Sequence, residues 1–164
     1  GALQARVEEL ATRKWDIAAL EAGVKKLAAE GIPEKQLDPA EIAANRQQIL
    51  DRVQRRAEEY NLATHNCARG TALALLEEFG LGSMDIVHAL APFPGFGGTG
   101  WMCGGVTGGL IALGLYFGSA DLLDGEAVGA SMEAAQQFMA RFEETVGSVL
   151  CPSLHEDVER GAED

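Results

Sequence analysis

The chain has 164 residues, 47% hydrophobic and 23% charged, with a formal net charge of −12, which suits one domain with a real core plus an appended helical arm. No run of Lys or Arg is dense enough to track phosphates, which argues against nucleic acid and anionic membrane surfaces as partners. Three cysteines, an odd number, argue against a secreted disulfide framework and for free thiols, a metal site or one reactive pair with a spare.

No basic segment followed by an apolar one opens the chain, so the expected location is cytoplasmic. From Ala2 to Glu30 the pattern is helical: Leu3, Val7 and Leu10 share a face, then Ile17, Leu20, Val24 and Leu27. Asp16 can restart the helix as an N-cap, and Gly31-Ile32-Pro33 ends it. Asp38-Pro39-Ala40-Glu41 is a strong helix start, with a capping Asp, Pro at the first helical position and Glu three residues on. A helix of about twenty residues follows, with Ile42, Ile49, Val53, Ala57 and Tyr60 on its apolar face. Residues 1–60 therefore form an amphipathic hairpin or arm.

Residues 61–158 form the expected cysteine-containing core and 159–164 an acidic tail. Its first helix runs from Asn66 to Phe79 and stops at Gly80. Ser83 can cap a short helix that Pro92 ends, and a glycine-rich loop runs on to Trp101. From Trp101 to Phe117 apolar residues fall on every helical face, the pattern of a buried central helix. Asp124 can cap a last long helix with Val128, Ala135, Phe138, Met139, Phe142 and Val146 inward, ending near Gly147, after which Cys151-Pro152-Ser153 begins a short turn. With no convincing strand alternation, the expected fold is all-α, a bundle of roughly six helices around the Gly-rich central one.

Cys67, Cys103 and Cys151 each fall in or just before the first turn of a predicted helix. A helix N-terminus offers unpaired N–H groups and about half a positive charge, which stabilise a thiolate and can bring its pKa below the ordinary ~8.5. Buried packing is the bland role for the same residues. The loop Gly95-Phe96-Gly97-Gly98-Thr99-Gly100 formally satisfies G-x-G-x-x-G, yet no strand precedes it, so it is not a dinucleotide fingerprint. The more modest expectation is that N–H groups of Gly97, Gly98, Gly100 and Gly104 hold an anionic or cofactor group at a helix start. The four-residue spacings Gly104/Gly108 and Gly105/Gly109 suit close helix packing; the stretch is short for a membrane span and lacks basic flanks. His65, two residues before Cys67, and His155, four after Cys151, can each add a ligand to three thiolates.

Asn66-Cys67-Ala68, Gly95-Phe-Gly-Gly, Cys103-Gly-Gly-Val-Thr-Gly108 with Leu-Ile-Ala-Leu-Gly-Leu after Gly109, and Phe138-x-x-x-Phe142 followed by Gly147-Ser148 and Cys151 together resemble the redox-active protein family named for its C…GCAxxG…C…C pattern. The core of split-Soret cytochrome c is similar to that family as well. The resemblance spans roughly residues 60–154. It implies a small helical, mostly anaerobe-associated protein whose cysteines serve redox chemistry or hold an iron–sulfur cluster, with Cys67 as first cysteine, Cys103 as that of the glycine motif and Cys151 as third. The pattern's fourth cysteine and any haem motif are absent.

The leading expectation is a redox or electron-transfer protein, accessory to an anaerobic oxidoreductase. In it Cys67, Cys103, Cys151 and His65 hold an iron–sulfur cluster or zinc, or two thiols form a disulfide couple without metal. The alternative is a non-catalytic subunit whose arm docks on a second copy or on a larger redox enzyme.

Overall fold

A computed structural model describes residues 1–152, and the acidic tail and His155 lie outside them. Nine helical segments occur among the described residues, with no strand beyond one isolated antiparallel bridge between Met102 and Leu150. The all-α expectation holds, with more and shorter pieces than the apolar pattern alone suggests.

The arm comprises α1 (Ala2–Thr12), α2 (Ile17–Glu30), α3 (Pro39–Ala44) and α4 (Arg46–Thr64). Asp16 accepts from the Ala19 N–H at the head of α2, and Asp38 from Ala40 at the head of α3, as their positions lead one to expect. The helix starting at Pro39 breaks at Asn45, which sits at φ −104°, ψ 19° and returns its side-chain amide to the Glu41 carbonyl. That local bond competes with helix continuation, the usual habit of Asn inside helices. Leu3 and Ile17, expected on inward faces, are exposed.

The core comprises α5 (Cys67–Phe79), α6 (Met84–Ala89), α7 (Gly95–Gly98), α8 (Gly104–Phe117) and α9 (Gly125–Val146). Asn66 caps α5 through Arg69 N–H and Asp124 caps α9 through Ala127 N–H. Gly80 and Gly147 end α5 and α9 in the left-handed region. Ser83 stands at the N-cap of α6, but its backbone carbonyl rather than its side chain takes the bond, from Ile86 N–H.

α5 is the hub, packed against α4 on one side and α8 on the other, while α9 covers α8. Tyr60, Leu73, Leu76, Val87 and Ala112 form the main apolar cluster, with Val24, Leu27 and Ala57 of the arm packed on it. Part of the arm's apolar stripe is thus spent on the chain's own core. Close packing is carried by glycine: a Cβ on Gly70 would fall 2.7 Å from the Asn61 backbone nitrogen of α4, and one on Gly108 2.8 Å from the Ala68 carbonyl oxygen of α5. α8 is buried over its first turns, as expected, but Tyr116 and Phe117 at its far end are exposed. On α9, Phe138 lies against Gly109, whereas Val128, expected inward, is 58% exposed.

Two carboxylates tie the layers together. Glu78, with its side chain only 5% exposed, accepts from Arg52 Nε at 2.7 Å and Arg56 Nη1 at 3.0 Å. Its backbone carbonyl takes the Lys35 ammonium at 3.0 Å. Glu58 of α4 accepts from Arg6 Nε at 2.8 Å and Nη2 at 2.6 Å, which docks α1. The Arg52 hydrogen bonds hold the Glu78 carboxyl below the ordinary carboxylate range, against the opposing effect of burial.

Because its folded pKa is depressed, Glu78 contributes stability that is present above its unfolded pKa and lost as pH falls through the folded value. Urea midpoints should therefore drop below about pH 4.5. In Glu78→Gln that part of the pH dependence should shrink, with roughly 1.5–3 kcal/mol lost at neutral pH. Gly108→Ala should cost about 1–3 kcal/mol by overpacking. By contrast Gly129→Ala, in an α9 position with nothing within 4 Å of the added carbon, should gain up to about 1 kcal/mol of helix propensity.

Candidate functional site

α5 and α8 run parallel: Gly104 meets Cys67 and Ala68, and Gly108 meets Ala68 and Ala72. Their N-termini consequently lie together, and each starts at a cysteine. Cys67 is the first residue of α5, Cys103 is the N-cap of α8, and Cys151 opens the last described helical turn. All three are half-buried free thiols.

Cys151 is brought in by backbone pairing. Its N–H donates to the Trp101 carbonyl at 2.7 Å, and Cys103 N–H donates to the Val149 carbonyl at 2.9 Å, flanking the Met102–Leu150 bridge. Strand alternation then puts Cys103 and Cys151 on the same face of this two-stranded patch, opposite Met102 and Leu150. A one-residue bridge has no sequence periodicity to announce it, and nothing marked Trp101 or Val149 as the groups that seat the thiols.

The glycine loop makes a left-handed turn. Gly95, Phe96, Gly97 and Gly98 have φ of 58°, 55°, 77° and 71°, a conformation three of the four can adopt without a Cβ penalty and Phe96 only with strain. The N–H groups of Gly97, Gly98 and Gly100 donate to the carbonyls of Pro92, Pro94 and Gly95 at 2.8, 3.0 and 3.1 Å. Those three are therefore turned into the loop, not offered to a bound group. Two other backbone N–H groups do face sulfur, that of Gly104 at Cys67 and that of Gly95 at Cys151. Gly104 is among the expected residues; Gly95 lies in the same motif but was not singled out.

The sulfur of Cys67 rests against the Gly104 backbone so closely that an added Cβ would sit 2.3 Å from it. Cys103 is the neighbour both other thiols feel. Helix-start placement was expected to lower thiol pKa values, and for Cys67 and Cys151 the balance goes the other way. Burial pushes the Cys67 thiol up, negative charge on Cys103 adds to that, and the Gly104 and Ala68 N–H groups oppose it only in part. Cys151 is raised by burial and by Cys103, against the Gly95 N–H. Desolvation of the thiolate and repulsion among like charges outweigh one or two backbone donors.

His65 takes a left-handed conformation at the C-terminus of α4 (φ 50°, ψ 38°) and lines a cavity with Val7, Leu10 and Trp15, beside α1. Among the described residues, no three His, Cys, Asp or Glu side chains are grouped so as to hold a metal ion, and no helix is long and apolar enough to cross a membrane.

The site defines a class: an all-α protein with three cysteines converging at the joined ends of two parallel helices. The family described as Putative redox-active protein (C_GCAxxG_C_C) matches residues 65–164, more than half of the chain, and the chain belongs to that family. No curated protein and no solved structure matches.

Gly104→Ala should force the Cys67 sulfur and α8 apart, with a loss of about 1–3 kcal/mol and faster alkylation of Cys67 by iodoacetamide. In the native protein, alkylation of Cys67 and Cys151 should climb with pH at higher values than in the urea-unfolded chain, where an ordinary thiol of about 8.5 applies. The raised folded pKa values also mean that this contribution to stability is full below the unfolded pKa and is lost as pH rises above it.

Proposed function

We propose that this protein is a thiol redox protein whose working couple is Cys67–Cys103, with Cys151 as the third thiol. The observation that carries this reading is the seat of the Cys67 sulfur against Gly104, the residue directly after Cys103. Cys103 and Cys151 are diagonal neighbours across the bridge, a relation that separates Cα atoms by about 7–8 Å, beyond the ~4.4–6.8 Å of most disulfides. Cys67–Cys103 is the readier pair.

The reaction is thiol–disulfide exchange with a disulfide-bearing partner. One thiol of the pair loses its proton and attacks a partner sulfur, breaking the partner's S–S bond. The departing partner thiolate takes up a proton. The second thiol then loses its proton and attacks the mixed disulfide, forming Cys67–Cys103 and expelling the other partner sulfur, which is also protonated. Two electrons pass to the partner, which leaves as a dithiol. The raised pKa of Cys67 keeps that thiol protonated and slow until a base or a partner intervenes.

A second reading, an iron–sulfur cluster or zinc on the same three thiols, is favoured by the N–H groups of Gly104 and Gly95 facing two of the sulfurs, since hydrogen bonds to sulfur tune such centres. When bound, a cluster would supply one-electron transfer. The donors fit in kind; among the described residues no three are grouped around one point, so no step is drawn through it.

Equilibration in anaerobic glutathione redox buffers, followed by alkylation and peptide mass mapping, tests the couple. We expect one two-electron transition producing a Cys67–Cys103 disulfide, abolished by Cys103→Ser and retained in Cys151→Ser. Three thiols that alkylate independently at every poise would overturn it. Iron, zinc and sulfide counts with a visible spectrum after anaerobic purification decide the second reading: metal bound in proportion to protein, and lost in each Cys→Ser variant, supports it.

A further inference from the structure

A cavity of about 390 Å³ opens further along the α5–α8 groove, away from the thiols. Leu75 and Phe79 of α5, Leu113 and Tyr116 of α8, Phe138 of α9 and Ile42 of α3 are among its walls. Leu113 is ten residues along α8 from Cys103, roughly 15 Å at a helical rise of 1.5 Å per residue. Among the described lining residues none is charged, and the Tyr116 hydroxyl is the one polar side-chain group. Two cavities of similar volume differ in this respect. One is lined by Arg69, Asp85 and His88 with apolar neighbours, the other by Lys35, Asp38, Glu41, Arg52 and Glu78.

Size and lining fall in the range of small-molecule sites, which are mostly apolar with a few polar groups to orient the ligand. An ionic ligand would lose its hydration here with nothing to compensate it. We infer that this cavity binds a neutral, apolar small molecule, its body between Leu75, Leu113 and Phe138 and its polar end towards the Tyr116 hydroxyl. Tyr116 is 41% exposed, so it stands at the mouth, where a hydroxyl meets both ligand and water. The wall drawn from four helices distinguishes the site from a bare helix face. The inference does not depend on how the thiols react.

The neutral fluorophore N-phenyl-1-naphthylamine is a suitable probe. Titrated into the full chain at low protein concentration, it should show saturable enhancement at one site per chain and raise the thermal midpoint through linkage. Leu113→Trp and Leu75→Phe fill the cavity from two half-buried wall positions. Each, once shown folded by circular dichroism, should weaken binding by about tenfold or more and lose the probe-induced thermal shift. An excess of the anionic analogue 1-anilinonaphthalene-8-sulfonate should compete poorly. Unsaturable fluorescence, or unchanged affinity in the folded variant or variants, would overturn the proposal. So would failure of both variants to fold combined with no thermal shift in the native chain. Probe release on raising protein concentration, in step with dimer formation, would assign the cavity to a second copy of the chain and equally overturn it.

Discussion

The close approach of α8 to α5 is the constraint on which the rest depends. Gly104 and Gly108 bring one face of α8 within backbone contact of Cys67, Ala68 and Ala72. Because the two helices run parallel, that contact also places both N-termini, and the cysteine at each, at one end. Anything bulkier than hydrogen at Gly104 meets sulfur on one side and the Ala68 backbone nitrogen on the other. The packing that stabilises the bundle is therefore the same packing that sets Cys67 beside the Cys103 peptide. In this chain, core and chemistry are not separable at that end of the helices.

The electrostatics at this junction follow from how few donors reach sulfur. A helix start could leave several N–H groups facing a thiol, but at the head of α8 the peptides are shared. Cys103 N–H is taken by Val149, and the Val106 and Thr107 N–H groups turn back to the Cys103 carbonyl. The left-handed turn at Gly95–Gly98 likewise closes on itself, with the Gly95 carbonyl accepting from Thr99, Gly100 and Trp101. Its strain at Phe96 is maintained by that dense local bonding. What is left over is one N–H each for Cys67 and Cys151 from outside their own turns, too little to offset burial.

Features set by a single residue against its own backbone were legible from the sequence. Asp16, Asp38 and Asp124 cap as their positions suggest, and Gly80 and Gly147 stop helices in the left-handed region. The three cysteines at helix starts were legible for the same reason. What depends on tertiary contacts was not. Asn45 is the local exception, interrupting a periodic helix through its own side chain. The Met102–Leu150 bridge joins residues 48 apart with no run of alternation on either side. The direction of the thiol shifts depends on burial, which a helix-start argument does not count. Val128 shares the period of the inward α9 residues, yet lies before Ser131 and Phe138, which Gly118 and Gly109 of the α8 region meet.

Charge is unevenly distributed along the chain. From Ala89 to Ala120 no residue is charged, although the chain as a whole carries −12. Within that uncharged stretch Phe96 is 52% and Trp101 66% exposed. An anionic thiolate approaching from solution meets the chain's overall negative field over roughly a Debye length, about 8 Å at physiological ionic strength. A neutral disulfide or apolar surface meets no such opposition and can lose water against the two aromatic rings. Aromatic contacts give affinity through burial, and distant charges act on approach. The arrangement leaves Phe96 and Trp101 on a stretch of chain that carries no charge. It also leaves the ionised residues, Glu58 and Glu78 among them, to hold the helical layers together at the far side of α5 and α4.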